Sequence, residues 1–441
     1  MLAPMWRMVC RLPVTQSVYR RAVVRNRLLF IAFCMAHSGK NLLWSGVDGL
    51  SLYILIKVVG VSPIAAGALF VLSSFWNAAM DGAWGYMLGR SAMIRPILPA
   101  LCAACVIVAC LSFALLPSLP VGSGVAAAVA LILFRTSFAL FDVPHNATTA
   151  LLAKEHGHLA LARWRSILSA MMSILIAAAA AMLVGVDAAT SRAIFVFPAL
   201  ALVALILLSP LPWLIGAMEG DAGIGEQDAV RRSAGIPPRP LVMFCLIQMM
   251  GFAALASIGK SMLHIDALPP WVLEHALLLL SVVRLLGTWL WAPIATRLGS
   301  AIALCLAYLA CAGAILLLPA AISLGPVWSV AVLCLLGASF GGVALLAWSA
   351  FSELLSRVAG NVANLSASYG LFTAISKIGL GFSGFLTAAW VGLQDHGLTT
   401  QSLWPMVILV AGLCVMTAFL GWPGWRWGFW SRRTPILVSA N

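Results

Sequence analysis

The sequence predicts an all-α, polytopic membrane fold with twelve transmembrane helices in two six-helix halves. Three observations lead there. Of 441 residues, 63% are hydrophobic and 9% charged, whereas soluble globular domains run about 45–50% apolar and about 25% charged. A chain so poor in polar residues cannot cover a water-facing surface. Second, the apolar residues come in long runs, and since a bilayer-spanning helix takes about 20 residues, twelve of them use about 240 and leave enough for loops and tails. Third, the basic residues between the runs alternate, dense in one set of loops and sparse in the other.

The same composition excludes other classes. Disorder needs low hydrophobicity and high charge. The net charge of +13, from 26 Lys+Arg against 13 Asp+Glu, is spread thinly between apolar runs rather than gathered on one face, so no nucleic-acid partner is expected. The bilayer is the partner the sequence implies. Of the ten cysteines, all but Cys10 lie in apolar runs. Cys102-Ala-Ala-Cys105 has neither a second pair nor a histidine near it, so the thiols read as small hydrophobes. No metal site and no cofactor are expected. No P-loop, zincin, Gly-x-Ser-x-Gly or haem-attachment motif occurs, and the chain is read as a non-enzyme.

The spans are placed near 28–56, 62–88, 94–117, 122–143, 163–186, 192–216, 240–263, 270–294, 299–322, 326–349, 361–391 and 402–423. A polar interval at 217–239, with Glu219, Asp221, Glu226, Asp228, Arg231, Arg232 and Pro237-Pro238, separates them six and six. The organisation is thus a basic tail at 1–27, a first half at 28–216, a central loop at 217–239, a second half at 240–423 and a tail at 424–441. With the N-terminus in the cytoplasm, nineteen basic residues fall inside, among them Arg7, Arg11, Arg20, Arg21, Arg25 and Arg27. At most Lys57, Arg192 and Lys260 fall outside. Both termini are therefore expected in the cytoplasm and the protein in the cell inner membrane. The N-terminal tail reads as an orientation anchor rather than a signal peptide. A faint repeat aligns Leu72-Ser73-Ser74-Phe75 through Gly89-Arg90 with Leu280-Ser281-Val282-Val283 through Arg297-Leu298-Gly299. Each runs from an apolar helix into a basic loop.

Charge inside a span is costly, at least about 2.5–3.5 kcal/mol, and marks function by default. Near the bilayer centre the list is Lys40, Asp48, Asp81, Arg135, Asp142, Arg284 and Lys377. Ser73, Asn77 and Asp81 recur every four residues on one helical face. Such a stripe suits a hard cation held through oxygens, a proton on Asp81, or a helix cap. Arg135 and Asp142 also share a face, and Pro144 is expected to break or bend the helix just beyond them. Arg165 in the next span is a candidate partner for Asp142. That group reads either as a polar-ligand site or as an ion pair locking two helices. Tyr369, Thr373, Lys377 and Gly381 form a polar face on span eleven, where the amine binds a ligand, neutralises a carboxylate of the first half, or reaches the membrane surface. His145 and Asn146 line the site or cap the bend. Trp422, Trp425, Trp427 and Trp430 read as an interfacial aromatic belt, and Gly337 with Gly341 as a helix-packing pair.

Five of these stretches resemble one family. Ser38-Gly39-Lys40-Asn41, Phe75-Trp76-Asn77-Ala78-Ala79-Met80-Asp81-Gly82, Asp142-Val143-Pro144, Trp164-Arg165 and Ser376-Lys377 resemble motifs of the glycoside-pentoside-hexuronide cation symporters, a branch of the major facilitator superfamily. The resemblance implies alternating access of two six-helix halves around a midplane cavity. It implies substrate contacts at Asp142 and Arg165, with Asn41 at a third position of that site, and a coupling-ion site at Asp81, Asn77 and Lys377; Asn41, Lys40, Asn146 and Tyr369 are further candidates for the cavity wall. Two positions depart from the pattern. The family carries carboxylates where this chain has Asn41 and Asn77, and a proline where it has Gly82. A lone carboxylate in a dry cavity suits a proton better than Na⁺. The expectation is therefore a secondary active transporter of a small polar solute, sugar or glycoside-like, in H⁺ symport rather than Na⁺ symport, acting as a monomer. The alternatives are a permease for siderophores, peptidoglycan fragments or lysolipids, and a membrane sensor that binds without transporting.

Overall fold

The structure, a computed structural model, describes residues 13–90, 93–183, 189–221, 239–265, 270–358, 363–395 and 403–422. The expectations placed on residues 1–12, on 222–238 of the central loop and on Trp425, Trp427 and Trp430 lie outside the described residues. Among those described there are thirteen α-helices and no strand. The helices are α1 (Pro13–Tyr53), α2 (Pro63–Arg90), α3 (Leu98–Leu115), α4 (Gly124–His156), α5 (His158–Leu183), α6 (Ala189–Leu208), the short α7 (Leu211–Asp221), α8 (Arg239–Ser261), α9 (Pro270–Leu298), α10 (Ser300–Leu324), α11 (Pro326–Val358), α12 (Ala363–Asp395) and α13 (Trp404–Gly421).

Eleven helical stretches are long and apolar enough to cross a membrane, α6 and α7 together making one of them. The exception, α1, is the longest at 41 residues but carries basic residues in its first half and Lys40 and Asp48 further on. It is nonetheless wedged among α4, α5 and α6, so a polar helix is tolerated where its neighbours face it rather than lipid. Helices at the periphery are apolar all round. On α3, Ile107, Leu111 and Leu115 are 50–58% exposed at steps of four, a stripe that only hydrocarbon can cover.

Buried apolar residues form two clusters. One gathers Leu29 to Ile215 with Ala388, the other Leu241 to Ala418 with Ala162. The halves meet along two seams, α2 against α12 and α5 against α9. The aligned stretches of the faint repeat lie on α2 and α9, one helix of each seam. Glycine makes the first seam tight: a Cβ on Gly370 of α12 would sit 2.8 Å from the Asp81 carbonyl oxygen and 3.1 Å from the Gly85 Cα. Gly337 and Gly341 do the same within the second half, where α11 lies on the backbone of α9 at Leu280 and Arg284.

Of the break or bend expected at Pro144, the break does not occur: α4 runs on to His156. Proline removes one N–H and so leaves the carbonyl four residues earlier without its helical donor. That carbonyl, Leu140, accepts a hydrogen bond from Trp84 Nε1 of α2 at 3.0 Å. A side chain of the neighbouring helix thus replaces the missing donor, which is how membrane helices keep a proline in place.

Candidate functional site

Of the charged side chains placed inside the spans, Lys40, Asp81, Asp142 and Lys377 are brought into contact. Lys377 of α12 is the centre. Its Nζ lies 2.6 Å from Asp81 Oδ2 and 3.1 Å from Asp142 Oδ2, and donates to Asn77 Oδ1 at 3.1 Å. The rings of Trp44 and Phe138 stand 5.2 and 5.1 Å away, within cation–π range. The Asp81 contact is an ion pair without an aligned hydrogen bond, since neither Asp81 oxygen has a donor in bonding geometry. Asp81 and Asn77 are fully buried, behind Lys377 rather than on the cavity wall.

The second group surrounds Asp142 on α4. Lys40 Nζ lies 2.8 Å from Asp142 Oδ1 and donates to Asn146 Oδ1 at 2.7 Å. Asn146 Nδ2 donates back to Asp142 Oδ1 at 2.9 Å. The expected Arg165–Asp142 pair does not form. Asp142 is taken by the two ammoniums, and Arg165 donates to Asn146 Oδ1 at 3.1 Å and to Thr149 Oγ1. Its guanidinium lies 4.0 Å over the Trp348 ring of α11, so it spans the two halves. Asn41 accepts from Ser169 Oγ at 2.9 Å and donates to the His37 carbonyl at 2.7 Å. His37 stacks on Phe33 and His145, and this buries His145 among rings instead of in the cavity.

Lys40, Asn41, Asp142, Asn146, Arg165 and Lys377 line one cavity of about 240 Å³, together with His37, Trp44, Ser169, Arg284 and Trp348. A second space of about 320 Å³ shares Asn41, Trp44, Ser169 and Arg284 with it and reaches Asp48, Gly49, Ala177 and Gly259, toward the end of the bundle opposite the basic loops. Tyr369 is not on either wall. It is fully buried with its ring 5.1 Å from Phe351 and 6.4 Å from Trp348. A polar face at steps of four identifies Lys377 and Thr373, but one turn further the same face enters the aromatic core of the second half.

Sequence reasoning misplaced Lys260, assigned to an outside loop. It is buried at the end of α8, where Nζ lies 3.0 Å from Asp48 Oδ2 of α1 and donates to Ser383 Oγ of α12 at 3.0 Å. An unpaired acid in span one was the available signal that a base had to approach from elsewhere. At the opposite end His158 and Ser352 Oγ are 2.6 Å apart, joining α5 to α11. Arg135 has no carboxylate partner among the described residues and lies between the Trp44 and Phe70 rings, at 4.9 and 5.3 Å.

The geometry agrees with what the chain is similar to. A family described as MFS/sugar transport protein matches residues 32–235, the stretch that builds α1 to α7. No curated protein matches the sequence. Solved structures similar to it include the xylose transporter XylE from E. coli in a partially occluded inward-open conformation, 14% identical over 89% of this chain and 98% of that one, with a TM-score of 0.65. A bacterial homologue of the iron transporter ferroportin in its outward-facing state is 11% identical over 90% and 98%, with a TM-score of 0.64. A D-xylose-proton symporter is 15% identical over 89% and 97%, with a TM-score of 0.62. The chain has the major facilitator fold, and the resemblance drawn from its motifs holds at that level.

Proposed function

We propose that the protein is a secondary transporter that carries a small polar solute across the cell inner membrane by alternating access, with both termini cytoplasmic and with H⁺ rather than Na⁺ as the coupled ion. The observation that carries the reading is the position of the Lys377 ammonium. It stands among Asp81, Asn77 and Asp142, where a coupling cation would sit. Na⁺ entering there would have to displace a bonded ammonium. A proton need only be shared along Asp81, Lys377 and Asp142, which neutralises the tie between the halves and lets them rock. Solute binding at Lys40, Asp142, Asn146 and Arg165 acts on the same carboxylate, so solute and proton are linked through Asp142. The fold and the match to a sugar-transport family support a sugar or glycoside-like solute.

The test uses purified protein in lightly buffered vesicles. Solute addition is expected to raise external pH, and Asp81→Asn to abolish that signal. Uptake that Na⁺ accelerates at fixed pH, with no response to a proton ionophore, would end the H⁺ reading. Asn41 and Asn77, amides where the resembling symporters carry acids, favour one second reading, a binder that does not transport. Solute binding without counterflow would select it.

A further inference from the structure

The charges around the cavities do not balance. Among the described residues, Lys40, Arg135, Arg165, Lys260, Arg284 and Lys377 are set on or near the cavities against Asp48, Asp81 and Asp142 alone. The three lysines account for all three acids: Lys40 with Asp142, Lys377 with Asp81 and Asp142, Lys260 with Asp48. Three guanidiniums are left. Arg135 is enclosed by aromatic rings and does not reach the cavity. Arg165 and Arg284 do, and both line the same space of about 240 Å³.

Neither arginine has an ion-pair partner among the described residues. Arg165 bonds to neutral acceptors, an amide and a hydroxyl, and feels Asp142 only at longer range. The polar contact of Arg284 is a 3.5 Å approach to Ser173 Oγ, and its Nε is buried without a partner. A buried charge without a counterion is unfavourable by several kcal/mol, and a guanidinium presents a planar fork that fits a carboxylate or phosphate. The two arise from opposite halves, Arg165 from α5 and Arg284 from α9, along the seam where those helices meet.

We infer that Arg165 and Arg284 form an anion clamp between the halves, and that the solute is a small soluble molecule bearing a carboxylate or a phosphate. This deepens the transport reading and rests on it for the word solute. An anion held by both arginines supplies the missing counter-charge and draws α5 and α9 together across the cavity. A neutral solute would leave both guanidiniums uncompensated.

The experiment measures binding, which does not depend on transport. Purified full-length protein is titrated with glucuronate, glucose 6-phosphate and succinate, and with glucose and succinamide as neutral counterparts. Quenching of tryptophan fluorescence (Trp44 and Trp348 face the cavity) and thermal melting are followed together. At least one anion is expected to bind about tenfold or more tightly than its neutral counterpart, as a charge-assisted bidentate contact implies. Arg284→Gln should remove that preference while raising the melting temperature of the ligand-free protein, because it deletes an uncompensated charge; Arg284→Lys should keep part of the preference. Three results overturn the proposal. One is neutral counterparts binding as tightly as the anions. Another is no anion stabilising the protein while Arg284→Gln lowers the ligand-free melting temperature. The third is stabilisation that appears only in anionic-lipid nanodiscs, which would assign the clamp to a headgroup. Anion binding without counterflow fails the transport reading and leaves the clamp; counterflow of neutral sugars alone fails the clamp and leaves transport.

Discussion

Lys377 Nζ lies 2.6 Å from Asp81 Oδ2, and this contact joins α12 of the second half to α2 of the first at the most extensive seam between them. Both side chains are almost wholly buried. A buried pair of this kind is a weak source of net stability, but removing one member strands the other, which costs about 3–5 kcal/mol. Lys377→Ala is therefore expected to lower the melting temperature sharply, because Asp81 loses its only ion-pair partner among the described residues. Asp142 keeps Lys40 at 2.8 Å. Adding Asp81→Asn to Lys377→Ala should recover most of the loss. Thermal unfolding of the single and double variants checks this, and a double variant no better than the single would refute it.

The halves are tied at both ends in different ways. Asp48 and Lys260 join α1 to α8 beside the larger cavity, while Arg165 over Trp348 and His158 with Ser352 join α5 to α11 at the other end. On the proposed transport reading, alternating access requires these ties to break in turn. Asp48→Cys with Lys260→Cys, oxidised, is expected to stop uptake, and reductant to restore it. The single-cysteine variants control for oxidation elsewhere. Normal uptake by the oxidised double variant would show that this end does not open.

Helix packing separates two glycines that both lie inside helices, Gly341 and Gly313. A Cβ on Gly341 of α11 would press on the Arg284 carbonyl and lie 3.1 Å from the Gly287 Cα, whereas one on Gly313 of α10 meets nothing within 4 Å. Gly341→Ala is expected to destabilise by about 1–3 kcal/mol through overpacking against backbone. Gly313→Ala should be neutral or stabilising by up to about 1 kcal/mol from helix propensity. Melting temperatures of the two variants compared side by side decide the matter.

The proline in α4 gives a coupled prediction. Trp84→Phe removes the indole donor to the Leu140 carbonyl and leaves it only the weak Cys102 thiol contact at 3.9 Å, at a cost of about 1–3 kcal/mol. Pro144→Ala restores the helical N–H to that carbonyl, so the indole becomes dispensable. Trp84→Phe should then cost much less in the Pro144→Ala background than alone. A double-mutant cycle read by thermal melting measures the difference, and additive effects would sink the account.

Local sequence determined the apolar spans and most of the charges inside them; it read α6 and α7 as one run and left Lys260 off the list. Lipid cannot hydrogen-bond backbone groups, so a long apolar run has only the helix open to it, and every buried charge must find a reason to be there. The list of Lys40, Asp48, Asp81, Arg135, Asp142, Arg284 and Lys377 was therefore legible without a structure. The resemblance to known symporters assigned Arg165 to a substrate site with Asp142 and Lys377 to a coupling-ion site with Asp81. What only the tertiary structure decided is which charge meets which. Periodicity orders residues along one helix and says nothing of a partner 212 or 235 residues away, as in Asp48 with Lys260 or Asp142 with Lys377. The pairing of Asp142 with two lysines instead of Arg165, the withdrawal of Tyr369 into an aromatic core and the rescue of Leu140 by Trp84 all follow from how α2, α4, α11 and α12 are set against one another. The two arginines left over are visible only once every other charge has been matched.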